Sequence, residues 1–346
     1  MSMIDSLEAD LQGHLAQPTQ VPEPPPGFYL QIYRDAVPGA TPTAKREQLA
    51  RYCDQAHALG LPGVVFHGFP GEMVGQWDGL ATLAADHGLL ALASWGLDGH
   101  DHIAAAKGDL VGDVLARPTC AAGILDAEGQ WDSHVSAADD MDEAGALALG
   151  RALRARAPHA LVGDQPWYQI TSHAGCRRTA KPLELGGPIC GFPVDEFAAI
   201  ATWGRFRQAY LYRSQGEACG YVPTFQRMDR SWLAIAAALR TAGLERPLRV
   251  TLQAYRWLLR EQVHALLDRG VRTQDPVILW CEPWPDETCL RAIRAVLWMQ
   301  REGYARAGVS AEDAVRAAQR ALVGTGYPID VDGDWGEETA RAAGLW

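Results

Sequence analysis

Short apolar runs alternate with amphipathic helical segments along most of the chain. Runs of this kind, each bounded by turn residues, predict strands at Phe28–Arg34, Gly63–Gly68, Leu89–Trp95, Ala121–Ala127, Ala160–Asp164, Phe206–Arg213, Leu248–Gln253 and Val277–Cys281. The segments between and after them have the period of helices, at Ala44–Leu59, Trp77–His87, Ile103–Leu115, Glu143–Arg156, Val194–Ala201, Asp229–Thr241, Leu258–Arg269 and Asp286–Arg301.

This alternation predicts an α/β fold with a parallel sheet, because each strand is followed by a helical crossover. Eight strand–helix units close into a packed barrel. We therefore predict a TIM barrel, (β/α)8, over residues 27–303, with an N-terminal arm or linker at residues 1–26 and a small helical module at residues 304–346. An open doubly wound sheet is the alternative, but the glycine-rich phosphate turn that would follow its first strand does not occur.

Polar and aromatic side chains occupy the ends of the predicted strands. In barrels of this type the carboxyl ends of the strands carry the chemistry. The sequence thus predicts substrate-binding positions at His67, Trp95, Asp98, Asp164, Trp167, Tyr212, Gln253, Trp280 and Glu282.

The fourth predicted strand ends in two carboxylates, Asp126 and Glu128. Side chains two apart on a strand share a face, about 6.6 Å apart at strand rise. Two acids at the end of an apolar strand raise the proton affinity of one of them, which keeps a proton donor protonated near neutral pH. The pair predicts the acid/base chemistry of a glycosidase. An ordinary strand end with two solvated acids is the alternative.

Three segments carry a family resemblance: Gly123–Glu128, Gly191–Phe197 and Phe206–Tyr212. They resemble the glycoside-hydrolase-like barrels of phage endolysins and bacterial wall enzymes, which are related in layout to the Chalaropsis-type lysozymes and the chitinases. In those proteins an Asp-x-Glu on the fourth strand supplies the proton donor. Ile124 stands where chitinases carry a further Asp, and Asp35 lies at or just beyond the first strand, where the lysozymes carry one.

The resemblance implies a mechanism built on three acids. Glu128 would protonate the glycosidic oxygen, while Asp126 or Asp35 would stabilise the oxocarbenium-like transition state, or a substrate acetamido group would attack instead. Tyr212 could hydrogen-bond that acetamido group, and Trp280 could form the floor of a subsite. No cofactor is expected.

A competing hypothesis is a metal-dependent amidase or esterase. The segment Asp98–His102 contains two Asp and two His, and His67 ends the preceding strand. The segment has no HExxH pattern, and an Asp that caps the following helix explains it more simply. We therefore expect no metal site.

The C-terminal segment predicts a second resemblance. Ser310–Asp313 is a capping box ahead of an amphipathic helix at Ala314–Val323, and a glycine turn follows. The next residues, up to Ala340, resemble the peptidoglycan-binding helical repeat, shortened at its end. The resemblance implies wall contacts by Tyr327, Asp332, Trp335 and Thr339. Packing of this module on the barrel without wall binding is the alternative.

Composition narrows the class of protein. The chain has 346 residues, a formal net charge of -11, seven Cys without CxxC spacing and twelve Trp. The charge argues against nucleic acid or anionic membranes as partners, and the Cys pattern favours reduced thiols made in a cytosol. The first residues do not have the pattern of a secretory signal, so we expect synthesis in the cytoplasm and action after lysis or within a particle.

The two resemblances indicate the same polymer, peptidoglycan. The first hypothesis is thus a lysozyme-like peptidoglycan hydrolase of phage or phage-like origin. The second is a catalytically weak barrel that binds wall or serves as a structural part of a phage tail or phage-like particle, because fold alone does not guarantee activity.

Overall fold

The computed structural model describes residues 24–33, 37–96, 104–127, 143–158, 160–166, 189–192, 248–253, 259–267, 276–281, 285 and 287–346. Eight strands lie within these ranges: β1 (Gly27–Tyr33), β2 (Gly63–Gly68), β3 (Leu90–Gly96), β4 (Gly123–Ala127), β5 (Val162–Pro166), β6 (Ile189–Phe192), β7 (Leu248–Gln253) and β8 (Pro276–Cys281).

The described strands form one parallel, curled sheet. Each pairs in parallel with its neighbour in chain order, and β1 also pairs with β8, so the ring closes. The pairing is sparse around β6, where one register pair joins it to β5 and the register shifts on its β7 side. The predicted α/β fold with a parallel sheet is confirmed by these pairings.

The prediction for the sixth strand is wrong. Ile189–Phe192, not Phe206–Arg213, lies between β5 and β7. The observed strand has four residues and contains Gly191, which is too short a run for periodicity to separate from a loop. Residues 206–213 lie outside the described part of the chain.

Helices follow several of the strands and cover the outside of the sheet. Those in the described ranges are α1 (Pro42–Ala58), α2 (Pro70–Asp86), α3 (Ala104–Leu115), α4 (Glu143–Arg156), α5 (Leu259–Leu266), α6 (Glu287–Arg301), α7 (Ala311–Gly324) and α8 (Glu337–Ala342). None of them combines the length and the apolar composition needed to cross a membrane.

Local chemistry explains where α1 and α2 begin. Both start with proline, whose missing N–H is not needed in the first turn. The Thr41 hydroxyl caps α1 by accepting a hydrogen bond from Ala44 N at 3.2 Å. The α2 helix begins at Pro70, seven residues before its predicted start at Trp77. Gly71 and Gly75 lower the helix propensity of this first segment, so the sequence did not predict it. The buried side chain of Met73 holds the segment against the core.

Two apolar clusters fill the two sides of the sheet. Inside the ring, Tyr29, Val65, Leu92, Ile124 and Ile278 pack on one another. The residues that alternate with them belong to a larger cluster between the sheet and the helices. Burial on both faces is the expected pattern for a parallel sheet. A polar side chain on the inner face is therefore an exception and a candidate functional residue.

The C-terminal helices pack against the barrel helices α5 and α6. Trp298 of α6 and Trp335 have ring centroids 5.8 Å apart, and His264 of α5 lies 2.7 Å through Nε2 from the Gly333 carbonyl oxygen. The predicted cap is confirmed, since Ser310 Oγ accepts from Asp313 N at 3.1 Å. This segment is therefore continuous with the barrel's outer core.

Candidate active site at the carboxyl ends of the strands

Three neighbouring strands bring polar side chains into the ring just above its inner apolar cluster. Gln31 follows Tyr29 on the inner face of β1, His67 follows Val65 on β2, and Ser94 of β3 lies beside them. The register pairs Tyr33 with His67 and His67 with Ser94, so these residues share one level near the carboxyl ends. Strand alternation thus explains how the group assembles.

The His67 ring is hydrogen-bonded from both neighbouring strands. Its Nδ1 lies 3.2 Å from Gln31 Nε2 and 3.0 Å from Ser94 Oγ. The Gln31 and Ser94 side chains are both fully buried. With the Gln31 amide nitrogen towards the ring, Nδ1 is the acceptor, and this arrangement matches a neutral imidazole that carries its proton on Nε2.

The rest of the ring is bordered by aromatic and backbone groups. Tyr33 packs against it with centroids 4.2 Å apart and planes at 35°. An ideal Cβ at Gly96 would lie 3.6 Å from His67 Nε2 and 3.7 Å from Phe69 Cε1. A side chain at Gly96 would therefore fill the space in front of the Nε2 edge, which glycine leaves open.

Burial decides the charge of this imidazole. Desolvation lowers the pKa of His67 to about 4. The side chain nevertheless keeps some exposure to solvent. A neutral ring with its proton on Nε2 can donate a hydrogen bond to an oxygen acceptor, but it has little capacity to act as a base near pH 7.

Of the three predicted catalytic acids, one lies in the described part of the chain, Asp126 at the end of β4. Asp126 pairs in register with Gly96 on one side and Gln165 on the other. The backbone of Asp126 is described, but its side chain is not, and Glu128 and Asp35 lie outside the described residues. The backbone thus brings one of the three predicted acids next to the His67 group.

The other predicted substrate positions divide into two sets. Trp280 pairs in register with Gln31 and with Gln253, so β7 and β8 continue the same level around the ring. Asp164 pairs with Leu125, which belongs to the cluster facing the helices. The remaining positions lie outside the described residues: Asp98, Trp167, Tyr212 and Glu282.

The prediction that Trp95 contacts substrate is wrong. Its side chain is 0% exposed and belongs to the outer cluster between sheet and helices. An ideal Cβ at Gly123 would lie 2.8 Å from Trp95 Cζ3, so the indole packs closely against β4. Ser94, one residue earlier, takes the inner position. The sequence analysis did not include Gln31 and Ser94. Each lies two residues after an inward-facing apolar residue, Tyr29 or Leu92, and this spacing could have identified both.

The C-terminal predictions require a similar correction. Trp335 is 0% and Thr339 is 3% exposed, so both stabilise the module from inside and are not available to contact a wall polymer. Tyr327 is 47% exposed. Asp332 lies at the surface but is engaged, since its Oδ1 accepts from Gln319 Nε2 at 2.8 Å. That hydrogen bond lowers the pKa of Asp332.

Gln319 is the centre of the C-terminal module. Its Nε2 also donates to the Asp334 carbonyl oxygen at 2.9 Å and lies 3.3 Å from Thr339 Oγ1, and its Oε1 accepts from Gly333 N at 2.9 Å. Gln319 itself is 1% exposed. One buried amide thus fixes the turn at residues 332–334 that contacts α5.

The described thiols and metal-ligating side chains add no second reactive centre. Burial raises the pKa of both Cys53 and Cys120 to about 12, which makes these thiols poor nucleophiles. Within the described ranges, no three His, Cys, Asp or Glu side chains converge as metal ligands. The segment Asp98–His102 lies outside those ranges.

Known protein families and curated proteins gave no match to the sequence. Among solved structures, GH5_18 from Streptomyces cattleya in complex with GlcNAc is similar with a TM-score of 0.54 and 13% identity, covering 81% of each chain. The PgaB (BpsB) glycoside hydrolase domain from Bordetella bronchiseptica has a TM-score of 0.47 and 12% identity over 79% of this chain and 99% of that chain. GH5_18 from Bifidobacterium longum has a TM-score of 0.48 and 14% identity over 80% of each. The first of these likenesses agrees with the fold described above.

Proposed function

We propose that this chain is a glycoside hydrolase that cleaves a polysaccharide at the carboxyl ends of its strands. The observation that carries the proposal is the group of Gln31, His67 and Ser94, a neutral polar cluster just above the inner apolar cluster and beside the strand that carries Asp126. Neutral donors and acceptors next to carboxylates suit a ligand made of hydroxyl and acetamido groups. The fold likeness to an enzyme solved with GlcNAc is consistent with this ligand class.

In the proposed reaction Glu128 is the proton donor to the glycosidic oxygen. Asp126 or Asp35 stabilises the positive charge that develops on the sugar ring, or the substrate acetamido oxygen attacks in place of a protein nucleophile. The His67 Nε2–H holds a sugar oxygen, and Trp280 stacks on a ring. The complete (β/α)8 repeat over residues 27–303 is part of this proposal.

The finer proposal is that the polysaccharide is peptidoglycan. It rests on the resemblance of Gly123–Glu128 to the endolysin-type barrels and of residues 310–340 to a wall-binding repeat. With Trp335 and Thr339 buried, wall contact by the C-terminal module falls to exposed residues such as Tyr327. Action after release by lysis, or within a phage-like particle, fits this substrate.

The direct test is clearing of a wall suspension by the wild type and by Glu128→Gln. We expect the variant to clear the suspension at least about a hundredfold more slowly, because general acid catalysis contributes on the order of 10²–10⁴ in rate. Glu47→Gln makes the same chemical change at an exposed site on α1 and should match the wild type. Equal clearing by all three proteins would contradict the assignment of Glu128.

The same assay separates the alternatives. Binding to wall without release of new reducing ends would favour a structural, wall-binding barrel. Amide or ester cleavage that a chelator abolishes would favour the metal hypothesis. The described geometry argues against His67 as a metal ligand through Nδ1, because that nitrogen's lone pair already accepts from Gln31.

A further inference from the structure

We propose that Gln31 and Ser94 are positioning residues that hold the His67 imidazole with its proton on Nε2, so that the mouth of the barrel presents a neutral donor to an uncharged sugar oxygen. This inference deepens the proposed function and rests on it for the class of ligand. The tautomer itself is a property of the free protein and can be tested without any substrate.

The geometry that supports the tautomer comes from both strands that flank β2. Gln31 on β1 and Ser94 on β3 approach the same ring nitrogen, at 3.2 Å and 3.0 Å. Both partners are 0% exposed, so bulk water does not compete for either hydrogen bond. The Gln31 amide N–H can only donate, so it matches a bare Nδ1, whose single lone pair the Ser94 hydroxyl can share as a second donor. A protonated Nδ1 would instead face the amide N–H of Gln31.

The same contacts disfavour the charged ring. An imidazolium carries a proton on Nδ1 and would lose the hydrogen bond from Gln31. It would also carry a charge in a largely desolvated site. Both effects act in one direction, and they agree with the lowered pKa of His67. The ring thus stays a donor through Nε2 across the neutral pH range.

The described groups around the ring add no compensating charge. They come from β1, β3 and the start of α2, and they are Gln31, Tyr33, Ser94, Gly96 and Phe69. Among these residues the Tyr33 phenol is the one titratable group, and a phenol is neutral near pH 7. On the next strand, Asp126 is in register with Gly96.

These surroundings favour an uncharged ligand oxygen. A hydroxyl or an acetamido carbonyl can accept from Nε2–H at the ordinary cost of desolvating a polar group. A carboxylate or phosphate placed there would be desolvated without a cationic partner among these residues, which costs several times more. The net charge of -11 opposes anions further. The subsite beside β2 should therefore prefer neutral sugars.

The tautomer can be read directly by two-dimensional ¹⁵N–¹H NMR of the histidine rings in the full chain. We expect the His67 signals to show a bare Nδ1 and a protonated Nε2 between pH 5.5 and 8, about the range above the lowered pKa. The double variant Gln31→Leu/Ser94→Ala should give a mixture of tautomers. Gln48→Leu, which makes the same Gln change on α1, should leave the His67 signals unchanged.

Either of two results would overturn the inference. One is a protonated Nδ1 in the wild type, which would mean that Gln31 presents its carbonyl oxygen to the ring. The other is a tautomer that the double variant does not alter although the protein remains folded. The wild-type spectrum alone decides the first point, so the test holds even if the double variant fails to fold.

A titration with sugars tests the ligand. We expect a GlcNAc tetramer to shift the His67 Nε2–H signal and an equal concentration of galacturonic acid tetramer to leave it in place. His67→Phe should weaken binding of the neutral sugar by up to about tenfold, the value of one hydrogen bond. A response to the acidic sugar instead, or to neither, would refute the ligand assignment. If the wild type cleaves no wall glycan but the GlcNAc tetramer still shifts the His67 Nε2–H signal, only the proposed reaction would be refuted.

Discussion

The packing of α3 on α4 depends on a glycine that has no room for a methyl group. An ideal Cβ at Gly108 would lie 2.3 Å from the Leu149 carbonyl oxygen and 2.9 Å from Ala152 Cβ. In contrast, an ideal Cβ at Gly75, also inside a helix, meets nothing within 4 Å. The same substitution, Gly→Ala, should therefore change stability in opposite directions at these two sites.

The magnitudes follow from two competing effects. Alanine in place of glycine inside a helix stabilises by about 1 kcal/mol because it restricts the unfolded chain, and Gly75→Ala should show most of that gain. At Gly108 the methyl group would collide with a backbone oxygen that cannot rotate away. Overpacking of that kind costs up to about 3 kcal/mol, so the net result should be a destabilisation of about 2 kcal/mol.

Urea unfolding of the wild type and the two variants is the assay. We expect the midpoint to rise for Gly75→Ala and to fall for Gly108→Ala, with similar slopes. Because α3 and α4 flank the strand that carries Asp126, Gly108→Ala should also reduce wall clearing. A Gly108→Ala protein at least as stable as the wild type would refute the reasoning, since it would show that α3 and α4 can separate at no cost.

Three further predictions test the C-terminal module and the histidine. Gln319→Leu leaves the buried Gly333 N–H without its acceptor and removes the hydrogen bonds to the exposed Asp332 and Asp334, so it should destabilise the protein by about 1–3 kcal/mol in urea unfolding. Arg320→Ala, at an exposed site on the same helix, should change the stability by less than about 0.5 kcal/mol. Trp335→Ala removes a fully buried indole and should lower the free energy of unfolding by about 3–5 kcal/mol. Limited proteolysis should then cut first after residue 303. Unchanged protection from the protease would show that the indole does not hold the C-terminal module on the barrel helices. The His67 pKa is lower in the folded protein, about 4, than its ordinary value of 6.5, so the unfolded chain binds more protons between these values. Stability should therefore fall as the pH drops from 6.5 towards 4. His67→Phe should remove that part of the pH dependence, and an unchanged profile would contradict it.

The sequence predicted the parallel strand order well where apolar runs were long. The bounds of β1, β2 and β3 lie within one residue of the prediction, because burial on both faces requires a continuous apolar run in the sequence. The sixth strand failed for the opposite reason. Four residues with an internal glycine carry too little periodic signal, and its place is decided by pairing with β5 and β7.

The candidate site was predictable in location but not in all of its members. The rule that chemistry lies at the carboxyl ends of barrel strands gave His67 and the end of β4. It also suggested Trp95, because residue type was weighed without the phase of the strand. Counting by twos from Leu92 gives Ser94 as the inner residue and Trp95 as an outer one, which is the arrangement that burial confirms.

The C-terminal module shows a limit of motif resemblance. An aromatic and a threonine at the expected spacings were interpreted as wall contacts, but Trp335 and Thr339 are buried. A short helical unit needs its few large side chains for its own core. The choice between surface and core at these two positions depended on Trp298 and Gln319, which lie on other helices and which the motif does not include.

The central claim is that the chain cuts a glycosidic bond in wall glycan through an acid on the fourth strand. Mass spectrometry of the soluble products released from purified peptidoglycan tests it most directly. We predict that the wild type and Glu47→Gln release muropeptides with a new reducing-end sugar, and that Glu128→Gln releases far fewer of them. Free stem peptides with intact glycan, or identical products and yields from Glu128→Gln, would contradict it.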